Sequence, residues 1–317
     1  MREVNRLKNF PVSFFALVLG FVGFALAIQK TEGIINIPEG IKAFFFILSL
    51  ALAKTVFLVY LLKAVIHFRE VKKDFNHPIK VNFFPIIAKI LLLFSVIYLS
   101  KNMVISKYLW IAGASLQFIF SMIIISRWFS RKFEITQINP SWFIPIVGSV
   151  IVPIAGVKHF SPEISWFFFS SGLIWWMVLF VVVIYRIFFH NPMPEKFLPT
   201  FFILFAPPAI AFIAFIKLTG ELSPFARILY HISLFMFILI LFQSYKFRKI
   251  DFYLSWWAYS FPTVAITVAT VLMYHLTHSS SYKTLIYFLM FLLSFMMVYL
   301  GYRTVRAITK KEICIEE

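Results

Sequence analysis

Ten apolar stretches, each near the ~20 residues that an α-helix needs to cross the hydrocarbon core, constrain this 317-residue chain more than any other feature. They predict spans at 11–28, 43–66, 81–99, 104–126, 140–157, 164–185, 199–216, 228–245, 256–275 and 284–302. Connections as short as 100–103 and 158–163 require antiparallel neighbours. A soluble fold of this size has no way to hide a composition that is 61% hydrophobic and 14% charged. The expected class is therefore an all-α polytopic membrane protein, with residues 1–317 as a single membrane domain. The stretch FPVSFFALVLGFVGFALAIQ reads as the first span, not as a cleaved leader.

The net charge of +17 is distributed by loop. One side collects Arg2, Arg6 and Lys8, the 69–80 cluster, Arg127, Arg131 and Lys132, Arg186 and Lys196, Lys246, Arg248 and Lys249, and the cations after 302. The opposite side has less than half as many. Such asymmetry is a topology signal, so both termini are expected in the cytoplasm and nucleic acid is not an expected partner. The expected location is the plasma (inner) membrane.

Prolines follow helix number. Pro85 falls in the third span, Pro145 and Pro153 in the fifth, Pro207 and Pro208 in the seventh, and Pro262 in the ninth. The even spans have no interior proline. The odd spans start 57 to 59 residues apart from the third onward, which marks a repeated helical hairpin. Carbonyls released by proline are tolerated only where protein or water satisfies them. The expectation is an inner ring of five kinked helices forming a pore, with five straight helices outside. The first span has Pro11 at its start and Gly20 as its candidate kink.

All thirteen acidic residues fall in loops, tails or span ends, including Glu3, Glu316 and Glu317. Proton relays and cation sites need a buried carboxylate, so pumps and cation channels lose support. Neither histidine spacing nor the single cysteine, Cys314, forms a metal or haem pattern; no cofactor, metal site or enzymatic activity is expected. Lys89 and Lys54 lie deep. Lys89, one turn after Pro85, is the candidate anion-attracting residue, whereas Lys54 suits a packing or subunit-interface role.

FREVKKDFNHPIK (68–80), NPSWFIPIVGSV (139–150), FAPPAIAF (205–212) and WAYSFPTVAITVATVLMYH (257–275) occur in this order across the ten spans. In these pieces the chain resembles the tellurite-resistance/dicarboxylate transporter family, which includes the plant slow-type anion channels. The resemblance implies five tandem hairpins, a pore in each protomer of a homotrimer, and a phenylalanine gate from the ninth span, which falls on Phe261. It implies an anion channel for chloride or nitrate, or alternatively a carrier for organic anions such as malate and other dicarboxylates, proton-coupled in one form. Pro262 after the gate position, Val18 before Leu19-Gly20, and Lys89 depart from the family pattern. A membrane scaffold without transport is a third reading; it leaves the proline pattern as packing alone.

On an ideal helix Phe261 shares a face with Ala265, Val268 and Leu272, while Thr263, Thr267, Thr270 and Tyr274 form a separate stripe. The expectation is that Phe261 faces the pore and that the threonines bond backbone carbonyls.

Overall fold

A computed structural model describes residues 5–247 and 250–314. Among the cations and acids named above, Arg2, Arg248, Lys249, Glu3, Glu316 and Glu317 lie outside the described residues. Every regular element among the described residues is helical. The α-helices are α1 (Phe14–Lys30), α2 (Glu39–Ile66), α3 (Phe68–Asn76), α4 (Ile86–Tyr98), α5 (Met103–Ser130), α6 (Ile144–Gly156), α7 (Pro162–Phe189), α8 (Ala206–Thr219), α9 (Pro224–Phe242), α10 (Ser260–Thr277) and α11 (Ser280–Thr309).

Eight helical segments are long and apolar enough to cross a membrane, and two further apolar helices, Phe14–Lys30 and Pro140–Gly156, are shorter. Three of the eight join an α-helix to the 3₁₀ turns before it: Lys80–Tyr98, Glu195–Thr219 and Leu254–Thr277. In these segments 78%, 78% and 83% of the most apolar stretch is buried. The straight helices α2, α5, α7, α9 and α11 bury only 17–39%. Their exposed residues are mostly apolar, Phe44, Val181 and Phe291 among them, as lipid-facing surface should be, with Lys54 of α2 an exception.

Consecutive helices pair by packing: α1 with α2, α4 with α5, α6 with α7, α8 with α9, and α10 with α11. The buried helices also touch one another in turn, α1 with α4, α4 with α6, α6 with α8, α8 with α10, and α10 back with α1.

Local chemistry explains the two helix types. Asn102, Ser161 and Ser223 cap α5, α7 and α9 by accepting backbone N–H bonds, and Pro162 and Pro224 open α7 and α9 where no intrahelical donor is lost. Each of α4, α6, α8 and α10 instead follows a 3₁₀ segment, at Lys80–Phe83, Pro140–Phe143, Glu195–Phe205 and Leu254–Tyr259. The prolines sit at these junctions. Pro85 caps α4, Pro145 and the pair Pro207–Pro208 occupy first-turn positions of α6 and α8, and Pro262 is the third residue of α10. Only Pro153 is inside an α-helix proper. Thus most of the expected mid-helix kinks are changes of helix type at a first turn.

Carbonyls near the junctions find donors on neighbouring helices. Gln117 Nε2 and Ser121 Oγ, both on α5, donate to Pro145 O at 2.5 and 3.2 Å. Ser233 Oγ on α9 donates to Phe205 O at 2.7 Å. These bonds are the protein-internal satisfaction that broken helices need in lipid.

α1 continues as one helix through Gly20, where a Cβ would stand 2.5 Å from Ser260 Oγ, so the glycine permits close approach of α1 to α10. Between the second and third spans, Phe68–Asn76 forms the amphipathic α3, with Val71 and Phe75 turned onto the core. Lys63, at the end of α2, is buried and donates to Asp74 Oδ2 on α3 and to Phe10 O, each at 2.8 Å.

Candidate functional site

One cavity of about 50 Å³ gathers the starts of all five buried helices. Its walls include Ala16 and Leu19 of α1, Ile86 and Lys89 of α4, Ile144 and Val147 of α6, Ala206 of α8, and Phe261 and Pro262 of α10. Phe83, Thr200, Ile203, Leu254, Ser255, Trp257 and Ala258, from the preceding 3₁₀ segments, complete it. A buried water needs ~10–15 Å³ of such space, so the cavity has room for only a few waters or one small ion.

Lys89 reaches this site because Pro85 starts α4 one turn earlier. Its side chain is 2% exposed, and its Nζ donates to the carbonyl of Ile144, the first residue of α6. No carboxylate lines the cavity. The remaining polar groups there are Thr200, whose hydroxyl donates to Phe197 O at 2.5 Å, and Ser255, whose hydroxyl donates to Lys196 O at 2.6 Å.

Phe261 is half-buried against the same space. The segment before it is anchored by Trp257, whose indole N–H donates to Thr304 Oγ1 on α11 at 3.0 Å. The threonine stripe lies elsewhere. Thr263, Thr267 and Thr270 are fully buried and donate to Tyr259 O, Thr263 O and Ile266 O at 2.7, 2.6 and 2.7 Å. Tyr230 of α9 adds a 3.1 Å contact to Thr270. The hydroxyls are therefore satisfied within α10, Thr270 also contacts α9, and none of them lines the cavity.

Of the sequence-derived candidates, the structure brings Lys89, Phe261 and Pro262 to one cavity, with Pro85, Pro145, Pro207 and Pro208 at the junctions around it. Pro153 and Gly20 lie away from it. Lys54 is exposed near the middle of α2 and has no hydrogen-bond or ion-pair partner among the described residues. Trp257, Thr200 and Ser255 were not singled out from sequence; their signal is their place in the 3₁₀ turn before a proline-marked helix. Among the described residues no three His, Cys, Asp or Glu side chains cluster as a metal site.

Outside the spans the charges pair locally. A hydrogen bond from Lys73 holds the Glu70 carboxyl below its ordinary range. Burial, with Lys107 nearby, pushes the His159 imidazole down; its Nε2 lies 2.8 Å from Ser106 Oγ.

Comparison with known proteins places the chain. The SLAC1 family, described as a voltage-dependent anion channel, matches residues 9–305. The chain belongs to this family. Among relatives of this SLAC1-family chain is the S-type anion channel SLAH2 of Arabidopsis thaliana, 30% identical over 274 residues, covering 84% of this chain and 53% of that one. An uncharacterized transporter of Methanocaldococcus jannaschii is 28% identical over 294 residues, covering 84% and 86%. A tellurite resistance protein TehA homolog of Haemophilus influenzae is 24% identical over 282 residues, covering 87% and 85%. The chain thus spans about half the length of the plant channel and most of the length of the other two. It is a multi-pass membrane protein of an anion-channel family.

Proposed function

We propose that this chain conducts small monovalent anions, such as chloride and nitrate, through a pore between its five buried helices, and that Phe261 occludes the pore. The observation that carries this reading is the cavity lined by residues from the starts of five buried helices, Phe261 and the buried Lys89 among them, with no carboxylate in its wall.

The physics favours anions. With one basic side chain, Lys89, and no carboxylate in its wall, the cavity offers a donor to an anion and no counter-charge to a cation. A single donor holds an anion weakly, so it also leaves, as conduction requires. The closed sequence of contacts among α1, α4, α6, α8 and α10 supports the ring around a pore. The pairing of each buried helix with an exposed one supports five hairpins and ten crossings, in which α1 and α6 span with the turns before them.

The reading includes cytoplasmic termini, a plasma-membrane location and a homotrimer in which each protomer has its own pore. A dicarboxylate carrier needs two cationic or bidentate groups converging on its substrate. The cavity offers one cation and about 50 Å³.

Planar-bilayer recording with chloride, nitrate and malate as alternative anions tests the proposal. The expected result is an anion-selective reversal potential with chloride and nitrate permeant. Cation selectivity, or saturable malate uptake that follows a pH gradient, overturns it.

A further inference from the structure

The basic face of the molecule has a second hollow, distant in sequence from the cavity's gate helix. A pocket of about 180 Å³ lies between the end of α5 and the turn after α3, lined among others by Asn76, His77, Arg127, Trp128, Arg131 and Lys132. A shallower hollow shares Asn76 and His77 with it and adds Arg69, Lys72 and Lys73 of α3. Neither has a carboxylate in its wall.

Arg127 is preset in this pocket. Its guanidinium stacks on Phe75, 4.4 Å from the ring centroid, and donates to Phe75 O at 2.5 Å and toward Asn76 Oδ1 at 3.4 Å. The acidic residues of α3 are already committed: Glu70 pairs with Lys73 at 3.0 Å, and Asp74 with Lys63 at 2.8 Å and Lys80 at 3.6 Å. Arg69, Lys72, Arg131 and Lys132 have no ion-pair partner among the described residues. Like charges held together in a concave site without counter-charge cost free energy unless an anion fills it. Phe68, next to Arg69, and Phe129, next to Trp128, are 63% and 78% exposed, an apolar surface suited to lipid beside the basic residues.

We propose that the Arg127–Arg131–Lys132 pocket, with the adjoining Arg69–Lys72 wall, binds a phosphate group, carried by the headgroup of an anionic lipid or free in solution. Guanidinium groups match phosphate oxygens bidentately, and lysine adds a point charge. Val81 lines the same pocket and belongs to the 3₁₀ turn that leads to Pro85 and Lys89, so an occupant bears on the start of α4.

The test uses the full chain, delipidated in neutral detergent, with fluorescent phosphatidic acid as the probe and phosphatidylcholine as the reference. Wild type should hold phosphatidic acid well above phosphatidylcholine. Removing two of the pocket's cations in Arg131→Gln/Lys132→Gln should weaken binding about thirtyfold, from roughly fivefold per basic residue at an anionic surface. Arg69→Gln/Lys72→Gln, on the other wall, should do likewise, so a folding defect in one variant does not decide the matter. The exposed pair Arg306→Gln/Lys310→Gln, at the end of α11, should stay within about twofold. Orthophosphate that displaces the lipid at millimolar concentration assigns the site to free phosphate; lipid binding that resists it assigns the site to the headgroup. Equal loss in all three variants, or no preference over phosphatidylcholine, overturns the proposal.

Discussion

Replacing Phe261 by alanine tests the gate directly. The ring is half-buried in the wall of a cavity of about 50 Å³, and on the proposed reading it must leave for the pore to open. Leaving moves χ1 off its preferred well, at ~1 kcal/mol. It also gives up about half of the ~2–3 kcal/mol that full burial of a side chain as large as phenylalanine contributes, a further ~1–1.5 kcal/mol. The closed state is then favoured by about 2–2.5 kcal/mol, which leaves roughly 1–3% of channels open. Truncation to a methyl group removes that bias, and anion conductance should rise about 30- to 70-fold. A fully buried Phe→Ala change costs ~3–5 kcal/mol, and a half-buried one less, so the variant should fold. The assay is voltage-clamp recording of reconstituted protein, with thermal melting in parallel. Phe291→Ala, on α11 and 74% exposed, is the control and should conduct as wild type. A well-folded Phe261→Ala protein whose conductance stays within twofold of wild type refutes the reasoning.

Lys89→Met keeps the length of the side chain and removes its charge; chloride flux into liposomes should fall at least tenfold, with melting lowered by the ~1 kcal/mol worth of the bond to Ile144 O. Gly148→Ala places a Cβ 1.8 Å from Gln117 Oε1, which should displace the amide from Pro145 O and cost about 1–3 kcal/mol in a thermal-shift assay. Gly40→Ala, with nothing within 4 Å, should melt near wild type. His159 has a folded pKa below its unfolded value, so the unfolded chain binds its proton first. Its contribution to stability is present above pH ~6.5 and is lost as pH falls through the lower folded pKa. The melting temperature of wild type should therefore drop on acidification over that window, and His159→Gln should flatten the drop.

The spans were legible because a run of twenty apolar residues has few alternatives in water or lipid. Their limits were less so. α2, α5, α7 and α11 run 28 to 30 residues, past the charged residues that closed the sequence-based spans, because a helix continues through the headgroup layer where Lys and Arg are solvated. Proline positions revealed which helices are buried, but not that the break is a 3₁₀-to-α change, since sequence gives the lost donor and not the turn that replaces it. Gly20 shows a related limit: in sequence a glycine reads alike whether it frees the backbone or admits a neighbour. α3 is hard to read although Phe68, Val71 and Phe75 have helical spacing, because its nine residues are mostly charged. Lys89 and Phe261 stand out individually in the sequence, and both line the cavity. Their convergence with the other helix starts depends on the cyclic packing of helices far apart in sequence.

That convergence bears on selectivity. On the proposed reading, an anion in the cavity meets one amino group already engaged by Ile144 O, the hydroxyls of Thr200 and Ser255, and walls that are otherwise mostly apolar. Such a site is attractive at long range and poor at replacing a hydration shell, because few donors are free to bond the ion. Anions that shed water easily should then pass more readily than strongly hydrated ones, which places nitrate ahead of chloride. A divalent anion would face a desolvation cost that grows as the square of its charge, against an attraction that grows only linearly. On the proposed reading, the same wall that offers a cation no counter-charge should exclude dicarboxylates through its dryness, and the two effects together favour a small monovalent anion.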